Sequence, residues 1–548
     1  MNSSKGFPFP FLPSAAFLIA ALLSLPILVV LVNVVIGDGE VWHHLYHTVL
    51  GEYISNSFWL MFGVGIGVLC IGVPSAWLTS MCDFTGRRLL SWALLLPMAF
   101  PAYIIAYTYT GILDFAGPVQ SFIRHLTGWR YGEYWFFEIR SLGGAMTMLI
   151  LVLYPYVYLM SRAAFLEQSA NSLEVAKTLG YSNRKAFFKL ALPMARPAIV
   201  TGLTLALMET LADYGTVQYF SVNTFTTGIL RTFYGFGDVA AASQLAGVLL
   251  LFVTLLILLE RYSRHRIRYH NSGMKKASNR RIRLTHVQTC FAVLFCTLPI
   301  LLGFLLPAGV LAYWSVFKAD FMGARFAQLA WNSFYLAAMA ALLLVAMALL
   351  LSYAGRLYRG NLIKVSIGMS GLGYALPGTI IAIGVLVPLA WLDHKLIDWT
   401  MDLTGYKLGL LLSGTLFALL FAYSVRFMAV SLGAVQNGLG KIKPSMDMSA
   451  RTLGMNNWGV LRRIHFPLLK GSILTAILIV FVDVLKELPA TLVLRPFNFN
   501  TLAVRAFELA SDERLVDAAP ASLMIVLVSL GPVILLSRSI SSDVTGAK

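Results

Sequence analysis

Long apolar stretches recur along the whole chain, and short polar segments separate them. One stretch runs from Ser14 to Ile36, and others are centred near positions 70, 100, 152, 205, 252, 300, 342, 380, 418, 480 and 528. A run of about 20 apolar residues is long enough for a helix to cross the hydrocarbon core of a bilayer. The pattern therefore predicts an all-α polytopic membrane protein with about 12 transmembrane helices.

Composition supports a lipid environment and argues against a soluble protein. Hydrophobic residues make up 58% of the chain and charged residues 12%, with a mean hydropathy of +0.75. Soluble domains carry about 25% charged residues. The net charge of +17 is also typical of nucleic-acid binders, so the positions of the charges decide its meaning.

Basic residues concentrate in alternate polar segments, whereas acidic residues such as Asp393 and Asp398 fall in the segments between them. Positively charged loops stay on the cytoplasmic side of bacterial membranes. This distribution predicts a multi-pass protein of the bacterial inner membrane with both termini in the cytoplasm, in contact with membrane lipid and not with nucleic acid. The basic segments contain Arg87 and Arg88, Arg184 and Lys185, the stretch 261–283, Arg356 and Lys364, and Lys441, Arg451 and Arg462.

Short motifs of the first half return in the second half at a nearly constant offset. Asn56-Ser57-Phe58 and Pro101 return as Asn332-Ser333-Phe334 and Pro377 at an offset of 276, and Leu179-Gly180 and Pro193 return as Leu453-Gly454 and Pro467 at an offset of 274. The shared register indicates two six-helix units of the same orientation, with a pathway expected between them. The predicted domains are a first transmembrane unit at 1–261, a basic cytoplasmic linker at 262–285 and a second transmembrane unit at 286–548.

Each half contains one cytoplasmic segment of unusual pattern. A short helix is predicted to end at a glycine that turns the chain with positive φ, and an amphipathic segment then leads to a proline at the start of the next span. An ordinary interfacial helix would explain one copy, whereas two copies with the same spacing favour docking sites for a soluble partner. The defining residues are Glu174, Ala176, Gly180, Leu192 and Pro193 in the first copy, and Ala450, Gly454, Ile464 and Pro467 in the second.

The chain contains no G-x-x-x-x-G-K-[ST] motif to hold the phosphates of ATP. The chain itself therefore cannot hold ATP in the P-loop manner. A membrane enzyme is the weakest alternative, because no nucleophile–base pair or complete set of metal ligands stands out.

The spacing of the paired segments resembles the EAA loop of the permease subunits of ATP-binding-cassette importers. That loop reads Glu-Ala-Ala, three residues, Gly, nine residues and Ile-x-Leu-Pro. The second copy has Met448 in place of the Glu and Phe466 in place of the Leu. The resemblance implies the type I ABC importer permease fold and a translocation subunit that is not an enzyme and has no cofactor of its own. ATP and Mg²⁺ are then expected on a separate ATPase, and two docking segments imply two copies of it, coupled through both loops. The missing Glu puts equal coupling by the two loops in doubt.

Further stretches are similar to the permeases of ferric-iron importers. The likeness covers nearly the whole chain and implies a fused permease that translocates Fe(III) delivered by a periplasmic iron-binding protein. Permeases of the same architecture carry thiamine, sulfate, polyamines or phosphonates, and these cargoes stay open, as does an ion-gradient-driven secondary transporter. The similar stretches are Pro101–Tyr103, Thr110–Gln120, Asp213–Phe220, Lys486–Thr491, Arg495–Asn498 and Ala510–Glu513.

Charged and aromatic residues at the ends of apolar spans are candidates for a substrate path. Two acidic pairs have partners four residues apart, and the second pair repeats the first at an offset of 274. Two interpretations stay open, an electronegative path for a cation or a network of helix-end hydrogen bonds and salt bridges. No tightly bound metal is expected, because conduction requires release of the ion. The path candidates are Glu209, Asp213, Tyr214, Asp483, Lys486, Glu487 and Arg495.

Overall fold

The apolar pattern folds into long helices throughout. The computed structural model describes residues 11–36, 40–130, 132–167, 181–265, 281–319, 324–358, 360–405 and 409–545. Within these ranges, 11 helices are long and apolar enough to cross a membrane, or up to 12 if one bent pair is counted as a span. The predicted all-α polytopic fold is therefore confirmed.

The helices of the first half include several short segments between the long spans. They are Phe11–Ile36, Glu40–Thr48, Leu50–Met81, Arg87–Ala93, Leu96–Ala99, Ala102–Leu113, Pro118–Thr127, Leu142–Glu167, Asn183–Ala186, Phe187–Ala191, Leu192–Ala212, Gly215–Tyr219, Phe225–Arg231, Thr232–Phe236 and Val239–His265.

The second half has a similar succession of elements. Its helices are His286–Ile300, Leu301–Leu305, Leu306–Phe317, Ala324–Leu357, Asn361–Ser370, Leu372–Ala375, Gly378–Thr404, Leu416–Gly440, Pro444–Thr452, Asn457–Val460, Leu461–His465, Phe466–Lys486, Pro489–Leu494, Leu502–Ser511 and Leu515–Thr545. Two short strands, Cys82–Asp83 and Ile282–Arg283, pair in parallel.

The third predicted span is broken. Its two arms, Arg87–Ala99 and Ala102–Thr127, meet at 91°. Pro101 lacks an amide hydrogen and forces the residue before it out of the helical region. Phe100 is accordingly extended, with φ −82° and ψ 128°. One apolar run of the sequence thus becomes a bent pair of helices.

The sequence repeat extends to the positions at which helices begin and end. A π-helical turn, Phe187–Ala191, precedes the helix Leu192–Ala212, and 274 residues later the π-helical turn Leu461–His465 precedes Phe466–Lys486. Both long helices contain 21 residues. Equal boundaries at this offset show that the two halves share one local architecture.

The described residues form two compact units, and each unit combines segments of both sequence halves. One unit contains Met1–Val41, Ile229–Gly247 and Met322–Arg505, and the other contains Trp42–Gly228, Val248–Phe321 and Ala506–Lys548. The predicted boundaries at 261 and 285 mark the two copies of the sequence repeat. As boundaries between structural domains, they stay a prediction.

The first span of each sequence half contacts helices of the other half. Phe11–Ile36 contacts Asn361–Ser370 and Gly378–Thr404 in one unit. In the other unit, Leu306–Phe317, which ends the first span of the second half, contacts Ala102–Leu113 of the first half and Leu515–Thr545 of its own half. The first span of each half therefore belongs to a compact unit built mainly from the opposite half.

Each unit has a core of three mutually packed helices. One core contains Ala324–Leu357, Leu416–Gly440 and Phe466–Lys486, and the other contains their repeat counterparts Leu50–Met81, Leu142–Glu167 and Leu192–Ala212.

Glycine permits close approach of two helices in the second core. A Cβ atom on Gly72 would lie 2.8 Å from the Val157 Cβ and 3.0 Å from the Tyr158 amide nitrogen. Small residues allow such packing between helices in membranes.

The charge pattern predicted a loop at Asp393, and this prediction is wrong. Asp393 lies within the helix Gly378–Thr404 and is buried. Its carboxylate accepts hydrogen bonds from the amides of residues 411–413 and, at 2.6 Å, from the Ser413 hydroxyl. Asp398 lies in the same helix.

Candidate functional site

The first predicted docking segment is only partly described. Glu174, Ala176 and Gly180 lie outside the described residues. Leu192 and Pro193 begin the helix Leu192–Ala212, which directly follows the π-helical turn Phe187–Ala191.

The second segment has the predicted geometry of a helix followed by a glycine turn. The helix Pro444–Thr452 is followed by Gly454, whose φ of +80° lies in the left-handed region that favours glycine. The Gly454 amide donates to the Arg451 carbonyl at 3.0 Å, and the Met455 amide donates to the Ala450 carbonyl at 3.1 Å. The chain then continues through Asn457–Val460 to the next span.

The helix Pro444–Thr452 buries one face and exposes apolar side chains on another. Ala450 is 3% exposed, whereas Met448 is 65% exposed. Leu453 in the turn and Trp458 after it are 78% and 57% exposed. Met448, which replaces the expected Glu, therefore belongs to an exposed apolar surface. We call this helix and its turn, residues 444–454, the docking helix. Ile464 and Pro467 lie at the start of the span that follows.

An ionic cluster fixes the docking helix to the helices behind it. Asp447 accepts hydrogen bonds from Arg356 Nε at 2.9 Å and Nη2 at 3.1 Å, and its Oδ1 lies 2.8 Å from His465 Nε2. Arg356 also donates to the carbonyls of Leu439 and Ile442 at 2.9 and 3.1 Å. These bonds connect four helical segments at one end of the unit.

Burial acts to raise the pKa of the Asp447 carboxyl, but the hydrogen bonds and charges of Arg356 and His465 outweigh it and hold the pKa below its ordinary value. The carboxylate therefore stays charged near neutral pH, as the cluster requires.

Sequence reasoning missed this cluster, because its members are far apart in the chain. Its residue types also do not recur at the matching positions of the first half. At the offsets of 276 and 274, the positions that correspond to Arg356, Asp447 and His465 hold Ser80, Leu173 and Ala191. The sequences of the two halves thus differ at the positions of the cluster as well as in the Glu-to-Met difference.

Asp213 and Glu487 occupy equivalent positions at the ends of equivalent helices. The Asp213 carboxylate accepts from the amides of Thr216 and Val217 at 3.0 and 3.1 Å. The Glu487 carboxylate accepts from the amides of Ala490 and Thr491, both at 3.0 Å. Each acid therefore caps the short helix that follows it, Gly215–Tyr219 or Pro489–Leu494.

The two acids differ in nearby positive charge. Arg426 Nη1 lies 3.6 Å from Glu487 Oε1, and both side chains are largely buried. At the two offsets, the positions that correspond to Arg426 are Ile150 and Val152. Sequence reasoning missed Arg426, although a lone arginine within an apolar run is a recognisable signal.

The other path candidates are distributed between the two compact units. Glu209 is half-buried one turn before Asp213, and the Tyr214 ring lies 5.9 Å from the Phe507 ring. In the other unit, the Lys486 ammonium lies 3.5 Å from the Asp483 carboxylate, and Arg495 donates to the Asn500 side chain. The proposed path through these residues stays a prediction.

Arg140 joins two of the motifs that the sequence singled out. Its guanidinium lies 3.3 Å from the Asp114 carboxylate and 3.2 Å from the Glu513 carboxylate. It also lies over the Tyr219 ring, at 5.3 Å from the centroid. Stretches from distant parts of the sequence thus meet at one guanidinium.

Among the described residues, no group of three or more His, Cys, Asp or Glu side chains is placed to hold a metal ion together. The Asp213 and Glu487 carboxylates are instead engaged in local hydrogen bonds.

Comparison with known proteins gives a family match over the first half. Residues 13–269 match the family model described as binding-protein-dependent transport system inner membrane component. The chain is 25% identical over 499 residues to the Fe(3+)-transport system permease protein FbpB 2 of Haemophilus influenzae, covering 90% of this chain and 91% of the relative.

Two other relatives match less completely. The ferric transport system permease protein FbpB of Actinobacillus pleuropneumoniae is 24% identical over 466 residues, 80% of this chain and 64% of the relative. The molybdenum transport system permease protein ModB of Haemophilus influenzae is 26% identical over 193 residues, 35% of this chain and 81% of the relative.

Proposed function

We propose that this chain, a member of the family of inner membrane components of binding-protein-dependent transport systems, translocates Fe(III) delivered by a periplasmic iron-binding protein. It is a multi-pass permease with the type I ABC importer fold, as the sequence predicted. The cargo, the number of ATPase subunits, the orientation of the termini and the path residues belong to the proposal.

The observation that supports coupling is the docking helix with its exposed apolar face and its ionic anchor. A soluble ATPase that covers Met448, Leu453 and Trp458 would bury apolar surface and so gain binding free energy. Because Asp447 ties the docking helix to Arg356 and His465, displacement of the helix would act directly on the spans Ala324–Leu357 and Phe466–Lys486. The repeat supports a second ATPase at the segment that contains Glu174 and Gly180.

ATP would drive the cycle through its different affinity for two conformations of the complex. Closure of two ATPases would move both docking segments and open the pathway to the periplasmic side. Hydrolysis would then return the permease to its resting conformation. Both termini would remain in the cytoplasm, on the side of the docking segments.

The choice of iron rests on the extent of similarity. Two iron permease relatives, FbpB 2 and FbpB, align over 90% and 80% of this chain. Fe(III) is a hard, highly charged ion that prefers oxygen ligands. Asp213 and Glu487 would supply negative charge along the path, while their existing hydrogen bonds would keep binding of the ion weak enough for release.

The test is uptake by the reconstituted complex. Proteoliposomes containing this chain, its ATPase and its binding protein are expected to accumulate radiolabelled Fe(III) only with ATP and loaded binding protein. Thiamine, sulfate and a polyamine presented in the same assay serve as competing cargoes. Accumulation of one of these in place of iron would contradict the cargo, and uptake without ATPase would contradict the coupling.

A further inference from the structure

Two segments separated by about 200 residues of sequence meet where a predicted span ends. The span Leu50–Met81 is followed directly by Cys82–Asp83, which pairs in parallel with Ile282–Arg283. The pairing places Cys82 opposite Ile282 and Asp83 opposite Arg283. Arg281, the residue before the second strand, thereby lies near Arg87 and Arg88 at the start of the helix Arg87–Ala93.

A cavity of about 390 Å³ lies at this junction. This volume falls within the range of about 300 to 1,000 Å³ that is usual for small-molecule sites. Its lining contains three guanidinium groups and one carboxylate. The lining residues are Asp83, Phe84, Gly86, Arg87, Arg88 and Arg281.

Positive charge at the cavity exceeds the negative charge that the described residues supply. Arg87 Nε lies 3.7 Å from the Asp83 carboxylate, which is itself largely exposed, and Arg87 Nη1 donates to the Thr79 carbonyl at 3.1 Å. Arg281, Arg88 and Arg162 all act on Arg87 as like charges. Because like charges in a partly buried site repel one another, an added anion would stabilise this arrangement.

Arg281 also has an unused donor. Its Nε atom is buried and has no hydrogen-bond partner among the described residues. Buried donors in proteins are nearly always paired, and an unpaired one costs free energy. Guanidinium groups recognise phosphate oxygens through paired hydrogen bonds.

We propose that the cavity lined by Arg87, Arg88 and Arg281 binds a phosphate group. The phosphate has two sources, the headgroup of an anionic phospholipid or free phosphate from the aqueous phase. The cavity directly follows the apolar span that ends at Met81, which places it at the depth of lipid headgroups and favours the lipid source. Binding would join the end of the linker between the halves to the loop after Leu50–Met81. The proposal does not rest on iron as the cargo.

The lipid source is tested with the full chain in nanodiscs containing equal amounts of phosphatidylglycerol and phosphatidylethanolamine. When the protein is released from the nanodiscs, native mass spectrometry is expected to show phosphatidylglycerol still bound to it. The Arg88→Gln plus Arg281→Gln variant is expected to lose about tenfold in retention, because two charge-assisted contacts are removed. Lys364→Gln is the matched control, since exposed Lys364 corresponds to Arg88 at the offset of 276 and does not line the cavity.

The free source is tested by calorimetric titration of inorganic phosphate into the same proteins in neutral detergent. Saturable binding that the arginine variant weakens about tenfold would identify free phosphate as the ligand. Asp83→Asn is expected to strengthen binding of whichever source is found, because it removes the negative charge in the lining. A merely structural role of Asp83 would not produce that gain. Equal behaviour of wild type and the arginine variant in both assays would overturn the proposal.

Discussion

At the scale of single residues, Asp447 links the docking helix to the helices behind it. Its carboxylate joins the docking helix to Arg356 and His465 through three contacts of 2.8 to 3.1 Å. Arg356 is itself largely buried and donates to two carbonyls besides. Removing the carboxylate would leave a guanidinium in a site where water cannot fully replace its partner.

We therefore expect Asp447→Asn to weaken transport while leaving membrane insertion intact. The free energy of unfolding should fall by about 2 kcal/mol, and ATP-driven uptake should fall further than co-purification of the ATPase. Asp398→Asn, on an exposed position of another helix, is the control. Unchanged uptake in the Asp447→Asn variant would show that the cluster does not transmit motion.

The pH dependence of this effect has a definite sign. Since the pKa of the Asp447 carboxyl is lowered in the folded protein, its contribution to stability is present above the ordinary carboxyl pKa. That contribution is lost as the pH falls through the lowered value. The difference in thermal stability between wild type and Asp447→Asn should therefore shrink in acid, as the pH falls through the lowered pKa of Asp447.

At the scale of elements, the glycine turn sets the direction in which the chain continues after the helix Pro444–Thr452. Gly454 has a φ of +80°, which side chains with a Cβ adopt only under strain. Gly454→Ala should cost about 1 kcal/mol and reduce binding of the ATPase, as measured by co-purification. Gly440→Ala is the matched control, because Gly440 lies at the end of a regular helix with open space around it. Reduced binding in both variants would mean that the turn itself is not responsible.

Close packing of two long helices depends on a second glycine. A Cβ on Gly72 would meet Val157 and the backbone of Tyr158. Gly72→Ala should lower the unfolding temperature in detergent, with a cost of about 1 to 3 kcal/mol. Gly51 lies in the same helix, and a Cβ added there would meet nothing within 4 Å, so Gly51→Ala should have little effect. Equal melting of the two variants would exclude packing at Gly72 as the cause.

The sequence predicted the helices themselves better than it predicted which helices pack against each other. Long apolar runs and constant offsets specify the spans and the repeat, because helix length and periodicity are local properties. Which helix packs against which is not a local property. A helix that is apolar on every side, such as Phe11–Ile36, gives no signal for the helices it contacts, and its packing on Gly378–Thr404 is visible only in the structure.

The sequence likewise does not predict which groups surround a charged side chain in the fold. The charge of Asp393 is typical of a loop exposed to water, but the amides of residues 411–413 replace water around its carboxylate. The sequence gives no signal for Arg140, although both of its acidic partners lie in motifs that resemble known permeases. Asp213 and Glu487 were correctly matched as repeat mates, whereas their capping bonds depend on helix breaks that the apolar pattern does not show.

At the scale of the whole molecule, the two halves share their helix boundaries but differ in the residues at the positions of the ionic cluster. Helix boundaries coincide at an offset of 274, yet the Arg356–Asp447–His465 cluster has no counterpart in the residues at the matching positions of the sequence. Met448 likewise stands where the first half has Glu174. If two identical ATPase subunits bind as proposed, the sequences of the two segments offer them unequal residues, Glu174 in one and Met448 in the other.

This asymmetry predicts unequal loss of ATPase subunits when one docking surface is damaged. Met448→Asp places a charge on the exposed apolar face of the docking helix, where an ATPase would have to desolvate it. Native mass spectrometry of the complex should then show one ATPase in place of two, with the remaining subunit bound at the first segment. Met401→Asp, at an exposed methionine of the helix Gly378–Thr404, is the control and should leave two subunits bound. A complex that keeps both subunits with Met448→Asp would show that this face is not a docking surface, and loss of both would show that the two sites do not bind independently.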